Sequence, residues 1–112
     1  MKITKIQSHI LQYAMPEELG YSQQYYGHRT SHLVEICTDD GITGWGECFG
    51  PGNIAIANKC IVEQVIAPII LDCNPMRRDM LWHKVYNLLR DHGQKGMPIQ
   101  ALSGVDIALW DI

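Results

Sequence analysis

The residues with most to offer a ligand are gathered in Gly20-Tyr-Ser-Gln-Gln-Tyr-Tyr-Gly-His-Arg-Thr30 and in Phe49-Gly50-Pro51-Gly52. Tyr25 and Tyr26 bring flat rings with a polar tip, and His28 brings a donor that titrates near neutral pH. Arg29 adds a permanent planar cation whose paired N–H groups match a carboxylate. Such a set suits a small anionic ligand. The same residue types also furnish ordinary loop surface, and Phe49 fits a hairpin core as well as a pocket wall. The sequence leaves both pairs of readings open.

Other chemistries find less support. Magnesium needs oxygen ligands brought in from several elements, and Glu47, Asp72, Asp79, Asp91, Asp106 and Asp111 are spread along the chain without a cluster. They read as caps and solvated faces. Asp106, one turn before Trp110, reads as an anchor for its indole N–H or for nearby backbone, Asp111 plays a similar part, and Glu47 is a structural acceptor rather than a base. His28 and His32 have a metal-pair spacing that works on a helix, but they straddle a loop and a strand. Cys37, Cys48, Cys60 and Cys73 lack Cys-x-x-Cys spacing and a His-x-x-x-His companion, which leaves them as buried reduced thiols. No Gly-x-Gly-x-x-Gly, Walker or nucleophile-elbow pattern is present. The chain is therefore expected to hold neither a metal nor a catalytic centre of its own.

The elements that must present the ligand residues follow from periodicity. Residues 2–13 carry Ile3, Ile6, Ile10, Leu11 and Tyr13 in an imperfect strand alternation, ended at Ala14-Met15-Pro16. Residues 15–30 follow as a long polar loop of the kind that forms lids and binding loops. Residues 31–38 and 42–49 flank Asp39-Asp40-Gly41, a tight-hairpin signal that asks for positive φ at both central residues. His32, Val34 and Ile36 share one face of the first of these strands, and Leu33, Glu35 and Cys37 the other.

After Gly50-Pro51-Gly52 the apolar period changes from two to 3.6. Asn53 is placed to cap a helix with Ile54, Ala57, Ile61 and Val65 inward and Asn58, Lys59, Glu63 and Gln64 outward, broken by Pro68. Asn74-Pro75 supplies a cap and a first-turn proline for a helix with Leu81, Val85, Leu88 and Leu89 inward, ended by Gly93. The last helix, residues 97–112, has Ala101, Leu102, Val105, Ala108, Leu109 and Ile112 on one stripe and Ile99, Ile107 and Trp110 on the far side. A helix that is apolar on both sides lies between two layers, and a second layer is hard to find in this chain. Its interior Gly104 points to close backbone packing. The order predicts an α+β domain over residues 1–112, a three-stranded antiparallel meander followed by three main helices.

With 46% apolar and 19% charged residues and a net charge of −3, the composition is globular and gives nucleic acid no electrostatic hold. No apolar run reaches the length of a signal-peptide core or a membrane span, so the protein is expected in the cytoplasm and away from membranes.

Gly44-Trp45-Gly46-Glu47, closing the hairpin, and Ala101-Leu-Ser-Gly-Val-Asp-Ile-Ala-Leu-Trp-Asp-Ile112 together resemble the amino-terminal domain of the mandelate racemase/muconate lactonizing enzyme group of the enolase superfamily. The resemblance covers essentially the whole chain. Residues 86–96 and Gly-Glu-Cys-Phe-Gly-Pro at 46–51 are most like galactarolactone cycloisomerases and related acid-sugar enzymes. The resemblance implies a capping domain with specificity loops at 15–30 and 49–52. It would lie over a (β/α) barrel that is absent from this chain and against which helix 97–112 would pack. For the full-length family enzyme it implies barrel-borne Mg²⁺ and acid/base groups that remove a proton α to the carboxylate of an acid sugar or its lactone, in an isomerase, cycloisomerase or dehydratase. The 112 residues alone would bind no Mg²⁺ and be inactive. The implied partners are a carboxylate-bearing acid sugar and the barrel. A competing reading is a free-standing α+β interaction module that buries its exposed helix face by homo-oligomerisation or against a partner chain. A weaker third is a small anion-binding domain using Arg29 and His28.

Overall fold

A computed structural model describes all residues from 1 to 112. Three strands, β1 (Ile3–Tyr21), β2 (Gln24–Thr38) and β3 (Thr43–Cys48), pair antiparallel in the order β1-β2-β3, each with its chain neighbour. The helical half follows as α1 (Ile54–Cys60), a π-helical turn (Ile61–Ile66), α2 (Ala67–Ile70), α3 (Arg78–Leu89) and α4 (Met97–Asp111). The expected α+β meander and helical layer are thus present. Side chains alternate along β2, so His32, Val34 and Ile36 point into the helical layer and are fully buried, while Leu33, Glu35 and Cys37 face out and are half-buried. Val34 and Ile36 join Val62, Ile66, Leu81, Val85 and the inner stripe of α4 in one core.

Residues 15–30 are strand where a loop was expected. β1 and β2 run on past the sheet as a two-stranded ribbon, paired as far as Tyr21↔Gln24, whereas β3 reaches only His32↔Cys48. Most ribbon side chains are exposed, so no apolar alternation is required and the sequence carries no period-two signal there. Pro16 falls in the register shift between Ala14 and Leu19, on an edge strand where its missing N–H takes no bond from the ladder. The hairpin at Asp39-Asp40-Gly41 forms, but only Gly41 takes a positive φ, 81°. Its N–H donates to the Thr38 carbonyl at 3.2 Å. One left-handed glycine after an ordinary turn replaces the two positive-φ residues of a two-residue loop.

The first helix differs in phase from its expected stripe. Ile54 and Val65 are exposed and Ala57 and Ile61 half-buried, whereas Ala55, Asn58, Val62 and Ile66 are buried. The buried stripe has the same helical spacing as the expected one and is offset by one residue along its whole length, with polar Asn58 standing among Ala55, Val62 and Ile66; farther on, the Ala67 N–H reaches back five residues to Val62 in a π-helical turn. Pro68 does not break the run, because it sits at the start of α2, where the ladder changes from five-residue to four-residue closure and an N–H is not needed. Asn53 makes no side-chain cap. Asn74 Oδ1 accepts the Met76 N–H at 2.9 Å and closes a turn, so α3 begins only at Arg78, and Leu88 is exposed while Leu81, Val85 and Leu89 are buried.

α4 keeps its expected inner stripe, with Ala101, Leu102, Val105, Ala108 and Leu109 buried, and Ile107 and Trp110 are exposed as expected, but Ile99 is half-buried against the core rather than on the far side. Backbone meets backbone where it crosses β3. A Cβ on Gly46 would collide with the Gly104 carbonyl and lie 2.7 Å from the Ala108 nitrogen, and one on Gly104 would lie 3.0 Å from the Cys48 nitrogen. At the far end, Asp111 Oδ2 accepts the Trp45 N–H at 2.8 Å. The two sequence motifs are therefore the two sides of one contact. The four cysteines are free, but only Cys48 is buried; Cys37 and Cys73 are half-buried and Cys60 is exposed, contrary to the uniform burial expected. No helix is long and apolar enough to cross a membrane.

Candidate functional site

β2 and β3 run in opposite directions, so the residues before His32 and those after Cys48 leave the sheet at the same end, away from the turn at 39–41. The ribbon and residues 49–52 therefore flank one place. The ribbon does not present its four candidate residues together. Alternation along β2 sets Tyr26 and His28 on the face shared with Val34, and Tyr25 and Arg29 on the face shared with Glu35. Tyr26 is half-buried opposite Leu19, His28 is exposed opposite Ala14, and Arg29 is exposed opposite Tyr13. Tyr25 is 74% exposed, with its ring across Gly20, where an added Cβ would come 2.7 Å from the ring Cγ. Its first contact is thus a cross-strand one.

Phe49 is 70% exposed, which removes it from the hairpin core. Its backbone is fixed from the helical side. Asn58, fully buried, donates from Nδ2 to the Phe49 carbonyl at 2.7 Å and to Gln100 Oε1 at 3.1 Å. Gly50 packs directly beneath: a Cβ there would lie 3.1 Å from Asn58 Nδ2 and 3.2 Å from the Ala55 Cα. The sequence suggests Asn58 for the solvated side because it is polar; it is in fact buried, on the same helical stripe as Ala55, Val62 and Ile66.

Beside this junction lies His32, with both ring nitrogens, like the Ser8 hydroxyl, buried and without partners. Burial holds the His32 pKa below its ordinary value; Glu63 opposes that shift and Lys59 adds to it. A neutral, enclosed imidazole of this kind fills the sheet–helix layer and is not open to a ligand. On the outer sheet face, His9 Nε2 lies 3.0 Å from Glu35 Oε2, with Lys5 Nζ at 3.7 Å. The His9 hydrogen bond, assisted by Lys5, holds the Glu35 carboxyl below its usual range despite some desolvation.

The second exposed feature is the outer face of α4. The Arg78 guanidinium lies 4.2 Å from the Trp110 ring centroid, beside a cleft of about 270 Å³ lined by Met76, Arg77, Arg78, Asp79, Met80 and Trp110. Asp106 is half-buried next to Asp79 and Arg78 rather than bonded to the indole, and burial followed by the Asp79 charge raises its pKa. Asp111 does take the backbone-anchoring part expected of it. Glu47 is solvent-exposed on β3 rather than a buried structural acceptor.

No three His, Cys, Asp or Glu side chains come together as a metal site. The residues of this chain therefore do not fit a Mg²⁺ centre. Burial pushes the Cys48 thiol up to about 11, which removes it as a nucleophile. What the arrangement can do is cover and contact a ligand from one side.

Residues 6–112 match the family described as mandelate racemase / muconate lactonizing enzyme, N-terminal domain. The chain is similar to the D-galactarolactone cycloisomerase of Agrobacterium fabrum, 41% identical over 112 residues, which is all of this chain and 29% of that protein. Among solved structures it is similar to a member of the enolase superfamily from Polaromonas sp. JS666, with a TM-score of 0.87 and 32% identity over 98% of this chain and 29% of that one. It is also similar to the 3,6-anhydro-D-galactonate cycloisomerase of Zobellia galactanivorans, with a TM-score of 0.83 and 29% identity over 99% of this chain and 28% of that one. The chain thus spans less than a third of the length of each of these relatives.

Proposed function

The chain belongs to the mandelate racemase/muconate lactonizing enzyme N-terminal domain family, and from that membership we propose that it is the substrate-capping domain of an enolase-superfamily enzyme acting on an acid sugar or its lactone. The observation that carries the reading is the register His32↔Cys48, which sends the ribbon and residues 49–52 out of the same end of the sheet. Two segments that flank one place can enclose a small ligand held by another domain. Tyr26 and His28 belong to the helix-side edge of that enclosure together with Phe49, whose backbone is held from the same side. Tyr25 and Arg29 belong to its outer edge, where the Arg29 fork suits a carboxylate.

Acid/base groups that take a proton α to the carboxylate, and any Mg²⁺ that stabilises the resulting enediolate, belong to a (β/α) barrel outside this chain. The apolar outer face of α4, with Ile107 half-exposed and Trp110 held under Arg78, is the surface that barrel covers. By itself the chain does not turn over substrate.

The test is a chimera in which this chain replaces the matching part of the Agrobacterium cycloisomerase. Turnover of an acid-sugar lactone, or solvent deuterium exchange at its α carbon, is the expected result. A folded chimera that binds no such compound removes the capping reading. Concentration-dependent self-association of the chain, relieved by Trp110→Ala and accompanied by an inactive chimera, would favour the interaction module instead, since the same α4 face serves either role.

A further inference from the structure

Asn58 stands on a stripe whose other members, Ala55, Val62 and Ile66, are apolar. An aliphatic side chain would fill the core there at no desolvation cost, so the amide needs a reason. The reason is the Phe49 carbonyl. β3 ends at Cys48, Phe49 has no ladder partner beyond it, and Asn58 supplies the missing donor at 2.7 Å. Its other N–H group holds Gln100 in the first turn of α4, while its Oδ1 is buried with no partner. The amide is thus oriented by what it donates to, and Gly50, with no Cβ, lets residues 49–52 close on it without slack.

We infer that Asn58 is a positioning residue for substrate discrimination: by fixing the Phe49 carbonyl it aims the exposed Phe49 ring and residues 49–52 at the ligand side of the cap. The discriminating role rests on the capping reading, and the tether rests on geometry alone. Asn58 touches no ligand and acts only through Phe49.

Phe49 is the only phenylalanine of the chain, so 4-fluorophenylalanine labelling yields a single ¹⁹F line. Asn58→Ala is expected to move that line toward the free amino-acid position and to speed amide exchange at Gly50 and Gly52 about tenfold. Exchange at Val34 and Ile36 stays unchanged, and Gln100→Ala leaves the line in place. In the chimera, Asn58→Ala is expected to raise KM for the lactone about fivefold while kcat stays within about twofold. An unmoved ¹⁹F line, or a mobilised Phe49 with KM unchanged, overturns the inference. If Asn58→Ala fails to fold, the unsubstituted chain decides. Its Asn58 side-chain amide protons must then be protected from exchange and show contacts to Gly50, and rapid exchange overturns the tether. A parent chimera inactive with Asn58 intact overturns the capping reading and the discriminating role with it, while the ¹⁹F line still reports on the tether.

Discussion

Where β3 crosses α4, Gly44 and Gly46 let the two backbones touch, and Asp111 fastens Trp45 at the end of the contact. Farther along the same sheet, the ribbon from Leu11 to Ser31 has no β3 beside it, and Leu11, Tyr13, Leu19, Tyr21 and Tyr25 are all at least half-exposed. One end is specified by what cannot be added; the other tolerates a wide choice of side chains because little packs on it. Fold specification thereby concentrates at one end of one hydrogen-bonded sheet, and the proposed recognition lies at the other. Substitutions at the ribbon can change what is touched without changing what folds.

The sharpest way to break this contrast is Gly46→Ala. A methyl group driven into the Gly104 carbonyl is expected to cost about 3 kcal/mol in urea unfolding, with loss of the native sheet–helix contact. An unchanged midpoint would mean that α4 can lift away freely. Asp111→Ala should cost about 1 kcal/mol, measured the same way, since a charge-assisted bond to the Trp45 N–H is lost. If Asp111→Asn and Asp111→Ala were both silent, that bond would be incidental to the motif.

Acid titration gives a smaller and continuous effect at the packed end. Burial depresses the folded-state pKa of His32 below the ordinary 6.5, so the unfolded chain takes up a proton first as pH falls. Stability is therefore full above about pH 6.5 and declines as pH drops below it toward the folded-state value. His32→Leu should flatten that part of the profile; a slope that persists in the variant assigns it elsewhere. The smallest effect belongs to the ribbon: Arg29→Ala should shift stability by no more than about 0.5 kcal/mol by thermal melting. A loss as large as that of Asp111→Ala would show the ribbon to be a packed element after all.

The sequence makes the two ends unequally legible. α4 repeats its apolar residues at helical spacing over four turns, and Gly104 stands out within it, so both faces and the close contact can be read directly. The 39–41 turn is visible from Asp-Gly, though one positive φ suffices where two were expected. The ribbon hides because an unpacked strand needs no alternation. The inward face of α1 hides for another reason: two stripes with the same helical spacing run side by side, Ile54-Ala57-Ile61-Val65 and Ala55-Asn58-Val62-Ile66, and the polar Asn58 disguises the one that is buried. For the candidate site, glycines and prolines mark both segments, but which face each side chain takes depends on strand register. That is why Tyr25, Tyr26, His28 and Arg29 read as one set and occupy two sides.

The ribbon begins where β3 stops and ends free at Tyr21↔Gln24, which leaves its length free to vary. Two residues added to each strand would carry the tip roughly 7 Å farther and keep every side chain on its present face. One residue added to each would exchange the faces and trade Arg29 for its neighbour His28. Small insertions and deletions here can therefore lengthen, shorten or invert the overhang in a lineage of proteins, while the layer beneath is inherited unaltered.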